Sequence, residues 1–291
     1  SIEIGPRVAA LAAESGDPSL TSLCADARDR LFLDLGAPLP TARVRENPHL
    51  DDDAYTISVA EIPVGSGRIE SANLEALAHQ LHRVARSHAH EFVGLQETQS
   101  MLDQLERTFP AVVRNVVPKP VSLQLLAEVL RRLVEEGVNI RPLRQILEAL
   151  AGFAPQEKDP LALTELVRAQ LRRQITHRHA HGGVLTTFLL SHEIEEAVTD
   201  SIQRTATGAY LAMPPDQARD VIEAVKAQIA EDAEGTPPPV LLTQAPIRRF
   251  VRRLLEVDLP DLVVLSYQEL APEVTVRPLG RIGVGSMLEG P

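Results

Sequence analysis

The strongest hydrophobic pattern lies in the middle of the sequence, where two apolar stripes recur at helical spacing. The first stripe ends before Gly137, a residue suited to the left-handed conformation that closes a helix. The second follows Pro142, which suits the first turn of a helix. The stripes consist of Leu123, Leu126, Leu130, Leu133 and Val134, and of Leu143, Ile146, Leu147 and Leu150. We therefore predict a small all-helical domain over residues 95–154, with the two stripes packed together.

The residues before this segment mix helical and strand-like patterns. Apolar positions recur at helical spacing from Leu20 to Leu35, and Tyr55–Ile62 alternates imperfectly between apolar and polar positions. The predicted elements are a helix over Leu20–Leu35, strands over Ala42–Arg45 and Tyr55–Ile62, a turn at Gly65–Gly67 and a helix over Leu74–Ala85. Residues 1–94 are therefore interpreted as an α/β domain.

The residues after the helical segment alternate between strand-like runs and helical patterns. The predicted strands are Val184–Leu190, Tyr210–Met213, Val240–Leu242 and Leu262–Ser266, and the predicted helices cover Leu163–Ile175, start at Ser191, span Pro215 to about Ala230, and start at Pro246. This alternation predicts an α/β domain over residues 155–291, with strands covered on both faces. The expected fold class is thus α+β with several domains.

Charge and composition narrow the class of protein. The 291 residues carry 29 basic and 40 acidic side chains, which gives a net charge of −11. Nucleic-acid binders present an excess of Lys and Arg to phosphates, so we expect no nucleic-acid partner. The single cysteine, Cys24, permits neither an intramolecular disulfide nor a structural zinc site with several thiolates.

The histidines call for a test of metal binding, above all His177, His179 and His181. Zinc requires three or four ligands that converge on one point, and alternating histidines converge only in an extended chain. This run instead follows a helical pattern and precedes Gly182–Gly183, as at a helix C-terminus, where imidazole interacts favourably with the helix dipole. The histidines at positions 79, 82, 88 and 90 are interpreted as surface residues. We expect no metal site.

Catalytic motifs are not found. The cluster Gly65–Gly67 lacks the GxxxxGK[ST] pattern of a phosphate-binding loop, and no GxSxG nucleophile motif occurs. Ser191 precedes a predicted helix, where capping accounts for it. We therefore expect no enzyme and no cofactor. The alternative hypothesis is an α/β enzyme or a small-ligand-binding protein that uses the crevice beside the strand ends of the last domain.

The pattern Ile247–Glu256 combines an apolar helix face with two rows of arginine. Arg248 and Arg252 form one i,i+4 row, Arg249 and Arg253 form the other, and both are expected opposite the apolar face. Two interpretations stay open. The arginines form either a solvated face offset by neighbouring acidic residues or a docking surface for an acidic partner.

The predicted helical domain carries both signs of charge at the edges of its stripes. We expect self-association through these complementary charges. The residues concerned are Arg131, Arg132, Glu135, Arg141, Arg144 and Glu148.

Four long blocks of sequence carry a much more specific signal than any short motif. They are HEFVGLQETQSMLDQLE (His90–Glu106), EVLRRLVEEGVNIRPLRQILEAL (Glu128–Leu150), FAPQEKDPLALTELVR (Phe153–Arg168) and VLLTQAPIRRFVRRLLEVDLPDLVVLSYQELAPEVTVRPLGRI (Val240–Ile282). Together they closely resemble the cytoplasmic domain of the type III secretion export gate, the SctV (LcrD, InvA, HrcV) family of injectisomes and its flagellar counterpart FlhA. The similarity extends over nearly the whole chain, and it is closer to the injectisome branch.

The resemblance implies a multi-pass bacterial inner-membrane protein whose membrane half precedes residue 1, with this part forming a homononameric ring in the cytoplasm. The implied partners are other copies of the chain, export chaperone–substrate complexes, the gatekeeper, the ATPase stalk protein and the switch protein. The family's first, third and fourth subdomains map to residues 1–94, 95–154 and 155–291. Its third subdomain supplies much of the ring contact.

One departure from the family concerns its second, βαβ-type subdomain, which is inserted in the first. Here the flanking elements, which resemble the family's IPVGSGRI strand-loop and its following helix, nearly abut, with Glu70–Asn73 between them. The insertion was lost from this chain, or a segment is missing near residues 68–73; we expect the second, because the insertion is a mobile module in the family. The chaperone cleft beside that subdomain cannot be assigned to residues of this chain.

Overall fold

A computed structural model of the chain describes residues 1–14, 19–69, 74–205, 208–231 and 240–284. The chain folds into two compact units, Ser1–Ala151 and Gly152–Pro291. Each unit contains helices and a four-stranded sheet, which confirms the mixed α and β character that the patterns predict. None of the described helices is both long enough and apolar enough to cross a lipid bilayer.

The first unit combines a small sheet with a set of helices. Its strands are β1 (Ile2–Ile4), β2 (Val44–Glu46), β3 (Ala54–Val59) and β4 (Ile62–Arg68). Its helices are α1 (Pro6–Glu14), α2 (Leu20–Leu35), α3 (Leu74–Ser87), α4 (Leu95–Glu106), α5 (Pro110–Val116), α6 (Leu123–Glu135) and α7 (Leu143–Phe153). The strand order is β2-β1-β3-β4, with β1 parallel to β2 and the other pairs antiparallel.

The sheet of the first unit buries one face against α2 and α3. Alternate residues of β3 are buried, and they share an apolar cluster with residues of both helices. Helix α2 begins where the Ser19 hydroxyl accepts a hydrogen bond from the Ser22 amide at 3.2 Å. It ends at Gly36, whose φ of 75° is left-handed. The predicted helix over Leu20–Leu35 is confirmed at both ends.

The predicted turn at Gly65–Gly67 is wrong, because these glycines lie within strand β4. The chain turns earlier, at Ala60 and Glu61, whose φ angles of 48° and 69° are both left-handed. The glycines have another role. A Cβ on Gly65 would lie 2.9 Å from Val84 of α3, and one on Gly67 would lie 2.6 Å from the Tyr55 hydroxyl. Glycine here allows close packing on the strand rather than a turn.

Helices α6 and α7 bury the two predicted stripes. Both helices are strongly amphipathic, and the stripe residues from Leu126 to Val134 and from Leu143 to Leu150 are buried. Gly137 has a φ of 72°, and the amide of Val138 donates to the Leu133 carbonyl at 2.8 Å. The predicted helix end at Gly137 is therefore confirmed.

The second unit is built around a parallel sheet. Its helices are α8 (Pro160–Gln170), α9 (Arg172–His179), α10 (His192–Asp200), α11 (Pro215–Glu231) and α12 (Arg248–Leu255). Its strands are β5 (Val184–Leu190), β6 (Ile202–Thr205), β7 (Gly208–Leu211), β8 (Val240–Thr243), β9 (Val264–Ser266) and β10 (Thr275–Ile282). Strands β10, β5, β8 and β9 form the sheet in that order, all parallel, while β6 and β7 form a separate antiparallel hairpin.

The apolar runs predict most of this unit, with three differences. The single helix predicted over residues 163–175 is two helices, divided at Leu171. The predicted strand at Tyr210–Met213 lies two residues earlier and pairs with β6, which the pattern does not predict. Strand β10 is also unpredicted, because most of its residues are exposed and include Pro278 and Gly280, so they show no apolar alternation. Pairing with β5, not burial, identifies it as a strand.

The left-handed turn between β3 and β4 generates a stability prediction. Left-handed φ is unfavourable for residues with a Cβ and costs glycine nothing, so Glu61→Gly should raise the free energy of unfolding by about 0.5–1 kcal/mol. Urea denaturation followed by circular dichroism measures this change. The matched control is Glu61→Ala, which removes the carboxylate and keeps the Cβ, and it should give no gain. Equal stabilisation by both substitutions would assign the effect to the carboxylate instead.

Candidate functional site

On helix α6, two of the arginines predicted to mediate self-association are already paired within the helix. Arg131 and Arg132 both contact the carboxylate of Glu128, at 2.8 and 2.6 Å. These are i,i+3 and i,i+4 pairs, which add modest helix stability. Glu135 lies exposed one turn beyond Arg131 and Arg132, and the described part of the chain gives it no ion-pair partner. Of this group, Glu135 is the charge most available to another molecule.

Two residues before α7, Arg141 stacks on an aromatic ring of α2. Its guanidinium lies 5.9 Å from the ring centre of Phe32, a cation–π distance. The Asn139 side chain fixes the geometry, since it donates to the Leu33 carbonyl at 2.9 Å and accepts from the Arg141 amide at 2.8 Å. A Cβ on Gly36 would lie 2.8 Å from the Arg141 backbone nitrogen, so glycine is needed for this approach.

Arg144 makes the same kind of contact one turn further along α7. It lies 4.7 Å from the ring centre of Phe109 and donates to Glu148 at 2.8 Å. Beside these stacks, Phe32 is 45% exposed and Leu33 is 59% exposed. We call the surface formed by Phe32, Leu33, Phe109, Arg141 and Arg144 the arginine ledge. Exposed apolar side chains next to cations are typical of protein contact surfaces.

The sequence pattern does not identify the apolar half of the arginine ledge. In α2 the buried stripe contains Leu31 and Leu35, and Phe32 and Leu33 fall outside its i,i+4 spacing. Their position off the stripe is the one signal that could have predicted their exposure. The sequence analysis thus selects the two arginines as candidates and does not select the rings on which they stack.

In α12 the predicted arginine row is wrong at Arg248. This side chain is fully buried instead of lying on the polar face. Its Nε and Nη2 donate to the two carboxylate oxygens of Glu165 on α8, at 2.6 and 2.5 Å, and Nη1 donates to the Val264 carbonyl at 3.3 Å. A buried guanidinium requires such a set of acceptors, and Glu165 lies 83 residues away in sequence.

Arg252, the second member of the same row, is also bound to its own chain. Its guanidinium donates to the carbonyls of Leu259, Pro260 and Leu262, at 3.2, 2.9 and 3.1 Å. Arg252 therefore holds the loop that leads from α12 to β9. It is only partly exposed and binds the backbone of its own chain, a contact that the helical pattern does not predict.

The other predicted row is divided between the interior and the surface. Arg249 is only 20% exposed, stacks at 4.7 Å on the ring of Phe250 and lies 3.6 Å from Asp159. Arg253 is 77% exposed and pairs with Glu256 at 2.6 Å. Among the four arginines of α12, Arg253 alone keeps the exposed position that the sequence predicts.

Helix α8 holds a second buried ion pair that sequence reasoning does not find. Arg168 and Glu269 are 2% and 1% exposed, and their charged atoms lie 2.6 Å apart. The Glu269 carboxylate also accepts hydrogen bonds from the Ser266 amide at 2.6 Å and the Ser266 hydroxyl at 2.8 Å. These bonds compensate the loss of water around the carboxylate.

The strand ends of the parallel sheet are the place where the alternative hypothesis puts a ligand. There the buried Glu195 accepts hydrogen bonds from the Thr243 hydroxyl at 2.9 Å, the Gln244 amide at 3.1 Å and the Gln244 side chain at 2.8 Å. Ser191 caps helix α10 by accepting from the Ile194 amide, as predicted. Glu195, Thr243 and Gln244 are thus engaged with one another at these strand ends.

The histidines are dispersed among local contacts. His177 and Arg173 both contact Glu273, at 3.2 and 2.6 Å, and the hydrogen bonds from the Glu273 amide and these two side chains lower the pKa of Glu273 to about 2. Burial and the charge of Arg86 lower the pKa of His82. Within the described residues, no group of three or more His, Cys, Asp or Glu side chains could hold a metal ion.

Comparison with known proteins gives a consistent family match. The FHIPEP family matches residues 70–275. The low calcium response locus protein D of Yersinia pestis is 33% identical over 306 residues, covering 88% of this chain and 43% of that protein. Protein hrpC2 of Xanthomonas euvesicatoria is 36% identical over 288 residues, covering 98% of this chain and 44% of that protein. The chain therefore spans less than half the length of these relatives.

Solved structures match the fold over nearly its whole length. The chain aligns with CdsV in the complex of the Chlamydia pneumoniae CdsV and CdsO proteins with a TM-score of 0.89, 31% identity and coverage of 97% of this chain and 96% of the other. It aligns with the nonameric EscV cytosolic domain from the type III secretion system with a TM-score of 0.77, 26% identity and 94% coverage of each chain.

The alignments with the Yersinia protein and with hrpC2 differ in how many positions have no counterpart in this chain. The alignment with the Yersinia protein runs over 306 positions but covers only 88% of these 291 residues, so it includes positions that have no counterpart in this chain. The alignment with hrpC2 runs over 288 positions and covers 98% of the chain, which leaves almost no such positions. The residues that relatives have in addition are expected at the site of the family's inserted subdomain. This site includes positions 70–73, which lie outside the described residues.

The ion pair between the buried Arg248 and the partly buried Glu165 generates a stability prediction. Arg248→Met leaves the Glu165 carboxylate without its partner, and we expect the free energy of unfolding to fall by about 3 kcal/mol. The double substitution Arg248→Met with Glu165→Met removes both charges and should recover most of this loss. Urea denaturation of the purified chain measures all three proteins.

The matched control is Arg253→Met, which removes the same charge from an exposed position of the same helix. It should change stability by less than about 1 kcal/mol. Equal effects of the substitutions at Arg248 and Arg253 would contradict the assignment of Arg248 to a structural ion pair.

Proposed function

The chain belongs to the FHIPEP family, and on that premise we propose that it is the ring-forming cytoplasmic domain of a type III secretion export gate. In this proposal the ring is a docking platform for export chaperone–substrate complexes, the gatekeeper, the ATPase stalk protein and the switch protein. The observation that carries it is the fold match over 94% of the chain to the nonameric EscV cytosolic domain. A membrane-embedded part of the same protein would anchor the ring at the bacterial inner membrane.

We extend the proposal to the family's subdomains. Residues 1–94 correspond to the first subdomain, residues 95–154 to the helical third and residues 155–291 to the fourth. We propose that the second subdomain is absent from this chain. This interpretation replaces the expectation that a segment is missing near residues 68–73. The near gap-free alignment with hrpC2 supports this choice, because a family member then has the same shorter arrangement.

For self-assembly, the arginine ledge is the surface best suited to another copy of the chain. Arg141 has no carboxylate partner among the described residues, and its guanidinium lies beside the exposed Phe32 and Leu33. A contact there buries apolar area and gives the arginine an acceptor, the two features common to stable interfaces. On α6, Glu135 offers another copy an exposed carboxylate that has no ion-pair partner among the described residues. Glu148 contributes by pairing with Arg144 of the ledge. Arg131 and Arg132 contribute charge from α6, where both pair with Glu128.

For partner docking, the exposed end of α12 is the best supported part of the second unit. Arg253 is largely exposed, and Val257 beyond it is 84% exposed. The structure of the Chlamydia pneumoniae CdsV and CdsO complex shows that a relative of this fold binds another protein. We propose that Arg253, with Arg249 behind it, contacts an acidic segment of such a partner. Arg248 and Arg252 hold the helix and its loop in place for this contact.

The ring proposal predicts the effect of reversing charge on the arginine ledge. Arg141→Glu and Arg144→Glu should each weaken self-association by about fivefold or more, because a cation beside an apolar contact becomes an anion in an acidic protein. Sedimentation velocity over a range of protein concentrations measures the change, and circular dichroism checks that the fold is kept. The control is Arg43→Glu, which reverses an exposed charge near strand β2. Unaltered assembly of both ledge variants would remove this surface from the ring contact.

The docking proposal predicts a selective loss of partner binding. Arg253→Glu should weaken binding of the ATPase stalk protein from the same organism by about tenfold in biolayer interferometry at low salt, and leave self-association unchanged. Arg252→Met is the comparison, since it acts through the loop and should lower thermal stability as well. If Arg253→Glu binds the stalk protein like the unaltered chain, α12 is a solvated face.

A further inference from the structure

Helix α9 and the turn after it form a basic surface in the second unit. From residue 172 to residue 181 there is no acidic side chain, and Arg172, Arg173, His177 and His181 are exposed. Arg173 and His177 both contact Glu273, whereas Arg172 has no ion-pair partner among the described residues. We call these four residues the basic surface. Such a concentration of basic groups is unusual in a chain with a net charge of −11.

The basic surface stands on a firmly held helix. The Thr176 hydroxyl donates to the Glu269 carbonyl at 2.5 Å and accepts from the Ala271 amide at 2.9 Å, and all three groups are buried. Ile175 is 3% exposed on the same inner face. Because α9 is fixed on its inner side, its outer charges keep a defined arrangement, which favours a specific contact over a diffuse one.

Helices α10 and α11 carry the opposite charge. Glu196 is 63% exposed, Asp216 is 92% exposed and Glu223 is 67% exposed, and Asp200 is exposed at the end of α10. We call these four residues the acidic surface. The basic groups nearest to Asp216 and Glu223 are Arg219 and Lys226, at 3.7 and 3.8 Å, and His192 lies 3.1 Å from Glu196. Arg219 and Lys226 compensate only part of the charge of the four carboxylates.

The two surfaces lie on different sides of the parallel sheet. Helices α10, α11 and α12 pack on the apolar cluster that contains Phe188 and Leu190 of β5. Neither Leu185 of β5 nor any residue of α8 and α9 belongs to this cluster, although Leu185, Leu163, Val167, Leu171 and Ile175 are all buried. Successive side chains of a strand point to opposite faces, so the second face of the sheet is covered by other elements. Helices α8 and α9 are the helices of this unit that remain to cover it.

We infer that the basic surface of one copy of the chain contacts the acidic surface of the next copy. Two different, complementary surfaces on opposite sides of one unit make a head-to-tail contact, which forms a ring when the rotation between neighbouring copies closes. Copies with a net charge of −11 repel one another, so a local basic surface is needed for approach. This inference rests on the proposed ring and adds a contact through the second unit to the one at the arginine ledge.

Charge reversal tests the inference. One variant carries Arg172→Glu with Arg173→Glu, a second carries Asp216→Arg with Glu223→Arg, and a third carries all four changes. Each of the first two should weaken self-association about tenfold at low salt, because attraction becomes repulsion, while the third restores opposite charges and should return to within about threefold of the unaltered chain. Sedimentation velocity at two ionic strengths measures association, and circular dichroism checks the fold. The control is Arg43→Glu, which reverses an exposed charge of the first unit outside both surfaces.

Each outcome decides the question. Unchanged association of the first two variants overturns the inference, and so does a loss that the fourfold variant fails to restore, which would assign the surfaces to a different acidic or basic partner. Association that responds to Arg141→Glu but not to these changes overturns this inference and leaves the proposed ring intact. An unaltered chain that remains at 31.8 kDa at every concentration overturns both.

Discussion

The second unit depends on two ion pairs that helix α8 makes with buried partners, and of the four charged groups only Glu165 keeps some exposure, at 24%. Glu165 pairs with the fully buried Arg248, and Arg168 pairs with Glu269, which is 1% exposed. Moving such charges out of water costs several kcal/mol for each ion, so both pairs require further hydrogen bonds. The Val264 carbonyl supplies one to Arg248, and Ser266 supplies two to Glu269. Helix α12 and strand β9 are thereby tied to α8, which fixes the surface that carries Arg253.

This constraint explains where prediction from the sequence succeeds and where it fails. Helices α6 and α7 and strand β5 follow from local apolar patterns, because one stripe or one run decides which side of each element is buried. The burial of Arg248 depends on Glu165, which is 83 residues away and has no local signal. Strand β10 likewise depends on pairing with β5. Interactions between distant residues are what a periodicity argument omits.

In the candidate surfaces, too, the local pattern predicts the helix but not the environment of each side chain. The helical pattern places four arginines of α12 in two equivalent rows, but the structure gives them different environments. Arg252 binds three backbone carbonyls, Arg249 lies over Phe250, and Arg253 extends into solvent. Charge in a sequence therefore identifies a helix that needs acceptors, and only the fold decides whether the acceptors belong to the same chain or to a partner.

The proposed assembly must solve an electrostatic problem that the composition creates. A net charge of −11 keeps separate copies apart, yet the nonameric relative shows that this fold is compatible with close packing of many copies. Basic groups concentrated at a contact lower the local repulsion without changing the net charge. The arginine ledge offers Arg141 beside exposed Phe32 and Leu33, so apolar burial supplies stability and the cation supplies orientation. Rising salt weakens the electrostatic part of such a contact and leaves the apolar part in place. The salt dependence of self-association therefore separates the contribution of the cation from that of apolar burial.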